Sequence, residues 1–203
     1  MKNVLITGKT GFIGSKLIGK SFEGRITDYK ELLKQTKNVV GIVHLAAKSN
    51  RKRCEEDIKG CIDSNILGVL NVLEVALKRN IWVLFISSFQ VKEIQLYGIS
   101  KLFGEELCRL YSKKGLRIKI IRLPIVYGPN DRKDKIVTKF IEQLKNNIEP
   151  TIDNNKKFKF LYVSDAVKLI ESEVNVLNCD KGRKFKLINL VEGIRKVLSE
   201  EKK

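Results

Sequence analysis

Three side chains in the middle of this sequence, Ser88, Tyr97 and Lys101, have the types and spacing for proton transfer. Tyr97 and Lys101 lie four positions apart, so on a helix they share one face. A phenol, with an ordinary pKa of about 10, works as an acid or base at neutral pH only where a nearby cation favours the phenolate. Lys101 would supply that cation. Ser88, after the apolar run that starts at Trp82, would hold a substrate oxygen beside the tyrosine proton. A second group of residues, Thr7-Gly8-Lys9-Thr10-Gly11-Phe12-Ile13-Gly14, fits a different task. Glycines at these spacings allow a tight turn and let the backbone approach a pyrophosphate. The free N–H groups of a helix that opens there would hold the phosphates. A nicotinamide carried by such a dinucleotide gives or takes a hydride, a step that no protein side chain performs.

Groups of this kind need strands that end where the chemistry is and helices that begin there. Short runs rich in Val and Ile alternate with longer stretches of helical period, the pattern of a parallel sheet covered by helices. Strands are predicted at Asn3 to Ile6, Val39 to Leu45, Trp82 to Ser87, Arg117 to Arg122, Lys157 to Tyr162 and Val174 to Leu177. Helices are predicted over Phe12 to Lys20, Ile58 to Arg79, Tyr97 to Lys114, Lys135 to Asn146 and Leu187 to Leu198, each with apolar residues three and four apart. The expected architecture is α/β, a doubly wound parallel sheet of the Rossmann type. Composition shifts after Pro129, where segments become shorter and more basic. Residues 1–129 therefore read as the dinucleotide-binding domain, and 130–203 as a small, reduced C-terminal portion with the substrate side and the closing strands and helices of the same fold.

A chain of 203 residues with 43% hydrophobic and 31% charged residues is that of a globular protein with a sizeable core. Its apolar runs are shorter than the roughly 20 residues of a spanning helix, and Met1 to Ile6 do not resemble a signal peptide, so a cytoplasmic protein without a membrane partner is expected. The four cysteines, Cys54, Cys61, Cys108 and Cys179, form no Cys-x-x-Cys pair and read as reduced thiols. A single histidine, His44, disfavours any mechanism that needs two imidazoles and any histidine-based metal site. The formal charge of +17 raises the question of nucleic acid. The basic runs recur along the whole chain, however, as a lysine-rich surface would; nucleic acid is not the expected partner, whereas a nucleotide diphosphate would be drawn to such a field.

Several further motifs occur in a fixed order: Val43-His44-Leu45-Ala46-Ala47, Asn65 to Glu74, Arg122-Leu123-Pro124-Ile125-Val126-Tyr127-Gly128-Pro129, and Tyr162-Val163-Ser164-Asp165-Ala166-Val167. Together with the glycine loop and the Ser, Tyr and Lys set, they make the chain resemble the extended short-chain dehydrogenase/reductase group, specifically the NAD-dependent epimerase/dehydratase family. The resemblance implies NAD or NADP as cofactor and a catalytic set of Ser88, Tyr97 and Lys101, with Lys101 also bonding the nicotinamide ribose. It implies that Gly8, Gly11, Phe12, Ile13 and Gly14 line the cofactor phosphates. Leu45, Ala46, Ala47 and Lys48 would pass beside the adenosine and ribose, Leu123 would flank the nicotinamide, and no metal is implied. It also implies a nucleotide-sugar substrate and a homodimer paired through the helices that begin near Ile58 and Tyr97. Asn65 reads as a buried polar group near the site.

The departures narrow these expectations. Gly14 to Asp28 leaves room for a first helix and a turn but hardly for a second strand, whose end usually carries an acid for the adenosine ribose. Asp28 stands at about the right distance by count, yet Gly24-Arg25-Ile26-Thr27-Asp28 also matches a later family segment. In that reading Arg25 replaces an adenine-binding aspartate, Asp28 caps a helix, and NAD against NADP stays open. Phe89-Gln90 stands where the family's dehydratases carry Asp-Glu, which favours epimerisation or carbonyl reduction over dehydration. The expected activity is an NAD(P)-dependent sugar-nucleotide epimerase or reductase that works by hydride transfer. The alternative is a non-catalytic NAD(P)-binding sensor or regulatory module, suggested by the missing second strand and by the pocket that the short loop from Ser88 to Tyr97 and the small portion after Pro129 would reduce.

Overall fold

The computed structural model describes residues 3–49, 51–152, 157–172 and 182–200. The chain forms two compact units, Met1–Leu123 with Val167–Cys179 and Pro124–Ala166 with Asp180–Lys203. The division therefore comes at Leu123, ahead of the composition shift at Pro129, and each unit receives a later piece of chain.

The first unit is built on a five-stranded sheet in the order β2-β1-β3-β4-β5. Its strands are β1 (Val4–Thr7), β2 (Lys20–Ser21), β3 (Gly41–His44), β4 (Trp82–Ser88) and β5 (Ile118–Leu123), all parallel. Every residue of β1 and β3 is buried, as expected of strands covered on both faces. Leu5, Ile42, Val83 and Phe85 form one layer of the core. Helix α4 (Gly68–Arg79) lays Val69, Val72, Leu73 and Ala76 on it, the i, i+3, i+4, i+7 stripe of an amphipathic helix. Asn80, in the left-handed conformation (φ 53°), ends α4, and its N–H returns to the Ala76 and Leu77 carbonyls.

Two expectations near the N-terminus are corrected. In place of a helix over Phe12 to Lys20 there is one 3-10 turn, Gly14–Lys16. Lys9 Nζ donates to the Leu17 carbonyl (2.5 Å) and the Gly14 carbonyl (3.4 Å), so a side chain fills acceptors that a continuing helix would use. Leu17 is already extended (ψ 149°). The room gained goes to the second strand, which is present after all as the two residues of β2, in register as Leu5 with Lys20 and Ile6 with Ser21. Asp28 caps α1 (Tyr29–Gln35) by accepting from Glu31 N at 3.0 Å.

The stretch from Ile58 to Arg79 is helical throughout but in three pieces: α3 (Ile58–Ile62), a π-helical turn at Asp63–Leu67, and α4. It is preceded by α2 (Arg51–Glu56). The turn between α2 and α3 brings the Cα atoms of Cys54 and Cys61 to 5.1 Å, and the two are joined as a disulfide. The expectation of four reduced thiols is corrected for this pair; Cys108 is free and buried.

The second unit carries a three-stranded sheet, β6 (Ile125–Tyr127), β7 (Lys157–Tyr162) and β8 (Arg183–Lys186), with β6 parallel and β8 antiparallel to β7. Val137 and Phe140 of α6 (Ile136–Lys145), Phe160 of β7, and Leu187 and Val191 of α8 (Leu187–Glu200) make its core. Phe160 stacks on Phe185 at 4.8 Å between centroids. Helix α7 (Val163–Glu171) follows β7 without a break. The strand predicted at Val174 to Leu177 lies outside the described residues.

Helix α5 (Leu96–Lys113) is fastened to the first sheet by a buried carboxylate. Glu105, fully enclosed, accepts from Arg122 of β5 through two hydrogen bonds (2.7 and 2.6 Å) and from the Ser87 hydroxyl of β4 (2.6 Å); Arg109 adds a fourth contact at 3.3 Å. Burial pushes the Glu105 pKa up, but the hydrogen bonds from Arg122 and Ser87 and the charges of Arg122 and Arg109 outweigh it and hold the carboxyl below the usual range. Glu105→Gln leaves the Arg122 guanidinium, 14% exposed, without its counter-charge. We expect a loss of about 3–5 kcal/mol in urea unfolding at neutral pH. His44, stacked on Phe85, has its pKa lowered to about 3 by burial and then by the charge of Lys101. The unfolded chain takes up this proton near pH 6.5 and the folded one only near 3, so His44 makes stability fall as pH drops through that interval. As the chain's single histidine, it should give one imidazole NMR signal that does not titrate between pH 8 and 4 in the folded protein.

Candidate functional site

The loops that leave β1 and β3 meet because the strand order reverses between these neighbours: the chain moves outward from β1 to β2 and then returns to the other side as β3. At such a switch point the carboxyl ends of the strands open a crevice. Gly8 turns there with φ +73°, and a side chain on it would lie 2.8 Å from Ala46 N, so only glycine serves. Gly11 N returns to the Gly8 carbonyl at 3.0 Å, and a Cβ on Gly14 would lie 2.2 Å from that same oxygen. The glycine loop is thus a tight turn packed upon itself, with Phe12 and Ile13 between its last two glycines.

Thr7 joins this turn to the next strand. Its hydroxyl accepts from Ala46 N (3.2 Å) and shares a 2.7 Å hydrogen bond with His44 Nδ1, while Leu45 N donates to the Thr7 carbonyl (3.1 Å). The loop Leu45, Ala46, Ala47 and Lys48 is therefore pinned at its start by β1. Asn65 pins its far end, accepting from Lys48 N (2.8 Å) and donating to the Lys48 carbonyl (3.1 Å). The same amide donates to Ser100 Oγ of α5 (3.0 Å) and lies against Cys61 Sγ. Asn65 sits in the π-helical turn, a feature found often at functional sites, and is buried as its place in the sequence motif suggested.

A cleft of about 560 Å³ opens beside these loops. Gly8, Lys9 and Thr10 line it from the glycine turn, Arg25 from the segment after β2, and Ala46 and Lys48 from the loop after β3. This is a size suited to a small-molecule ligand. Gly11, Phe12, Ile13, Gly14, Leu45 and Ala47 shape the turns around it without lining it.

Ser88, Tyr97 and Lys101 come together farther along the sheet. Ser88 ends β4, where it accepts from Gln90 N (3.2 Å) and so starts the short 3-10 turn Phe89–Lys92. The Tyr97 phenol, on the first turn of α5 and 9% exposed, hydrogen-bonds to Ser88. Burial pushes the Tyr97 pKa up, and the Ser88 hydrogen bond opposes this only in part. Lys101 is buried too. Its ammonium donates to the Ile86 carbonyl (2.9 Å) and stands 4.9 Å from the Phe85 ring centroid. Burial lowers its pKa to about 8, with Cys108 and Glu105 opposing. Leu123, at the end of β5, pairs with Ser88 across the ladder and is buried beside it. The arrangement offers a neutral phenol held by a hydroxyl, with a buried cation on the next turn of the same helix.

Sequence reasoning missed Glu105 and the part Lys9 plays in ending the glycine turn. Glu105 lies four residues after Lys101, hence on the same helix face, and an acid on that apolar face was a readable signal when Arg122 interrupts the β5 run. For Lys9 no sequence signal exists, since its role depends on where the turn ends.

Residues 19–172 match the model of the NAD dependent epimerase/dehydratase family. Among curated proteins, a putative UDP-glucose 4-epimerase of Methanocaldococcus jannaschii is 26% identical over 250 aligned positions, covering 95% of this chain and 81% of the relative. CDP-abequose synthase of Salmonella muenchen is 27% identical, covering 96% and 80%. The fold is shared with UDP-glucuronic acid 4-epimerase from Bacillus cereus, solved with UDP-glucuronic acid and NAD, at a TM-score of 0.86 and 22% identity over 98% of this chain and 83% of that one. The family match spans well over half of the sequence and takes in Ser88, Tyr97 and Lys101: the chain belongs to the NAD-dependent epimerase/dehydratase family.

Proposed function

We propose that this chain is an NAD(P)-dependent epimerase or reductase acting on a nucleotide-linked sugar, with Ser88, Tyr97 and Lys101 as its catalytic residues. The observation that carries the reading is the assembly of these three groups at the ends of β4 and the start of α5, in the unit that also holds the glycine turn and the cleft. A binding module has no need of a buried phenol held by a hydroxyl beside a buried lysine, and this favours the enzyme over the sensor. The names of the relatives, a 4-epimerase for UDP-glucose and a synthase for CDP-abequose, support the nucleotide sugar as substrate class.

The residues around the cleft fit a dinucleotide. Gly8 packs its backbone closely on the loop after β3 at the edge of the cleft, and Lys9, Arg25 and Lys48 supply positive charge for phosphates. When bound, the cofactor supplies hydride transfer at its nicotinamide. Leu123, next to Ser88 in the ladder, is placed to flank that ring. Tyr97 moves the proton: oriented by Ser88, its phenolate takes the proton from a sugar hydroxyl in the oxidising direction, and the phenol so formed gives it back in the reducing one. Lys101, with a pKa of about 8, is charged at neutral pH and favours the phenolate that forms during the transfer. Asn65, hydrogen-bonded to both Lys48 and Ser100, holds the cofactor loop and α5 in one arrangement.

A second copy of the chain is the partner we assign to the outer face of α5. Ile99, Leu102, Phe103 and Leu110 are 49%, 38%, 48% and 50% exposed there, with Ile62 and Leu67 exposed on the neighbouring helical stretch. Such an apolar face on a charged protein suits an isologous contact. The reading carries a cytoplasmic location with it.

Tyr97→Phe should lower turnover by about 10²–10⁴-fold while dinucleotide affinity, measured by calorimetry, changes little; unchanged turnover would remove the tyrosine from the mechanism. A panel of UDP-, GDP- and dTDP-sugars with the bound cofactor tests the substrate class. Tighter cofactor binding with one sugar, followed by its conversion, is the expected result. Cofactor binding that responds to none would favour the sensor.

A further inference from the structure

The adenosine end of the cleft departs from what binds NAD. In sheets of this type an acid at the end of the second strand accepts from the ribose 2′-hydroxyl, whereas a nearby arginine accommodates a 2′-phosphate. Here β2 ends at Ser21, and the acids that follow are Glu23 and Asp28. Neither lines the cleft. Phe22 and Gly24 do, whereas Glu23 between them does not. The Glu23 backbone is held by Gln35, which accepts from its N–H (3.0 Å) and donates to its carbonyl (2.6 Å). Asp28 is engaged as the cap of α1.

Arg25 follows four residues after the end of β2. It is exposed, lines the cleft, and its side chain makes no hydrogen bond or ion pair with the described residues. Lys9 and Lys48 reach the same cleft from the loops after β1 and β3. The two carboxylates that also line it are already answered: Asp57 accepts from Lys48 and from Gly60 N, and Asp63 from Lys59 at 2.7 Å. Lys9 holds its position on two carbonyls, so its charge is fixed rather than free to swing out. The balance of this end is cationic, and the charged group left uncommitted among the lining residues is a guanidinium, which pairs with phosphate through two parallel hydrogen bonds.

We infer that Arg25 makes this site select NADP(H) over NAD(H), by pairing with the 2′-phosphate of the adenosine ribose. The inference rests on the dinucleotide reading above and adds to it which dinucleotide is taken. Calorimetric titration of the full chain with NADP, NAD, adenosine 2′,5′-bisphosphate and 5′-AMP tests it without reference to turnover. At low salt the two 2′-phosphorylated ligands should bind at least about tenfold tighter than their counterparts, and the difference should shrink as salt is raised. Arg25→Asp should reverse the preference between the dinucleotides, and Arg25→Lys should keep part of it; because Arg25 is exposed, both variants should melt at the wild-type temperature. NAD binding as tightly as NADP, or a preference that Arg25→Asp does not move, overturns the assignment and leaves the cofactor site standing. Failure of both dinucleotides to bind overturns the site itself.

Discussion

The grouping of Ser88, Tyr97 and Lys101 hangs on one enclosed carboxylate. Glu105 draws β4 and β5 to α5 through Ser87 and Arg122, which are themselves paired across the ladder. One turn before Glu105 stands Lys101, and one turn before that, Tyr97. The next ladder position, Ser88 with Leu123, is where the phenol is held. A charge pair so deeply enclosed is costly to desolvate, and apolar residues of similar volume would often serve stability as well. What it adds is direction. Apolar contacts would let α5 slide or rotate by a fraction of a turn, whereas a carboxylate with three donors accepts one placement, and the reacting groups inherit it.

Unit 1 has a second fixed point in Asn65. Its amide reads both edges of the site at once, the loop after β3 on one side and α5 on the other. The π-helical turn and the disulfide between Cys54 and Cys61 lie around it, so an irregular stretch of backbone is surrounded by covalent and hydrogen-bonded constraints. Neither the cleft beside the glycine turn nor the group of Ser88, Tyr97 and Lys101 is therefore an independent module. Asp57, which caps α3 and pairs with Lys48, extends the same network to the rim of the cleft.

Much of this was legible in the sequence wherever a single period dominates. The apolar runs of β1, β3, β4, β5 and β7 and the stripes of α4, α5, α6 and α8 all stand where patterning put them, within a few residues at the ends. The Ser88, Tyr97 and Lys101 set was visible as types in order. Phe12 to Lys20 misled because Phe12, Ile13, Leu17 and Ile18 have helical spacing while what ends the turn is three-dimensional: the Lys9 ammonium on its carbonyls, and Gly19, whose missing side chain lets the chain pass against Ile6. The disulfide was hidden for a similar reason, since it depends on the angle between two short helices and on no recognisable spacing. Lys101 was expected to face the phenol; that its ammonium turns to the Ile86 carbonyl is a matter of local packing over Phe85, which no pattern encodes.

The brevity of β2 has a thermodynamic side. Two residues give the sheet only two rungs at that edge, and the segment that follows relies on Phe22 N bonding to the Ile6 carbonyl and on the Gln35 amide rather than on a long ladder. Opening free energies are lowest where ladder hydrogen bonds and buried apolar contacts are few. The amides of the rim from Lys20 to Thr27 should therefore exchange with solvent more readily than those of β3 and β4, which lie inside the ladder. A ligand that bridges this rim to the glycine turn would raise its protection far more than it raises the stability of the whole, so occupancy would be written in the exchange rates of a handful of edge amides.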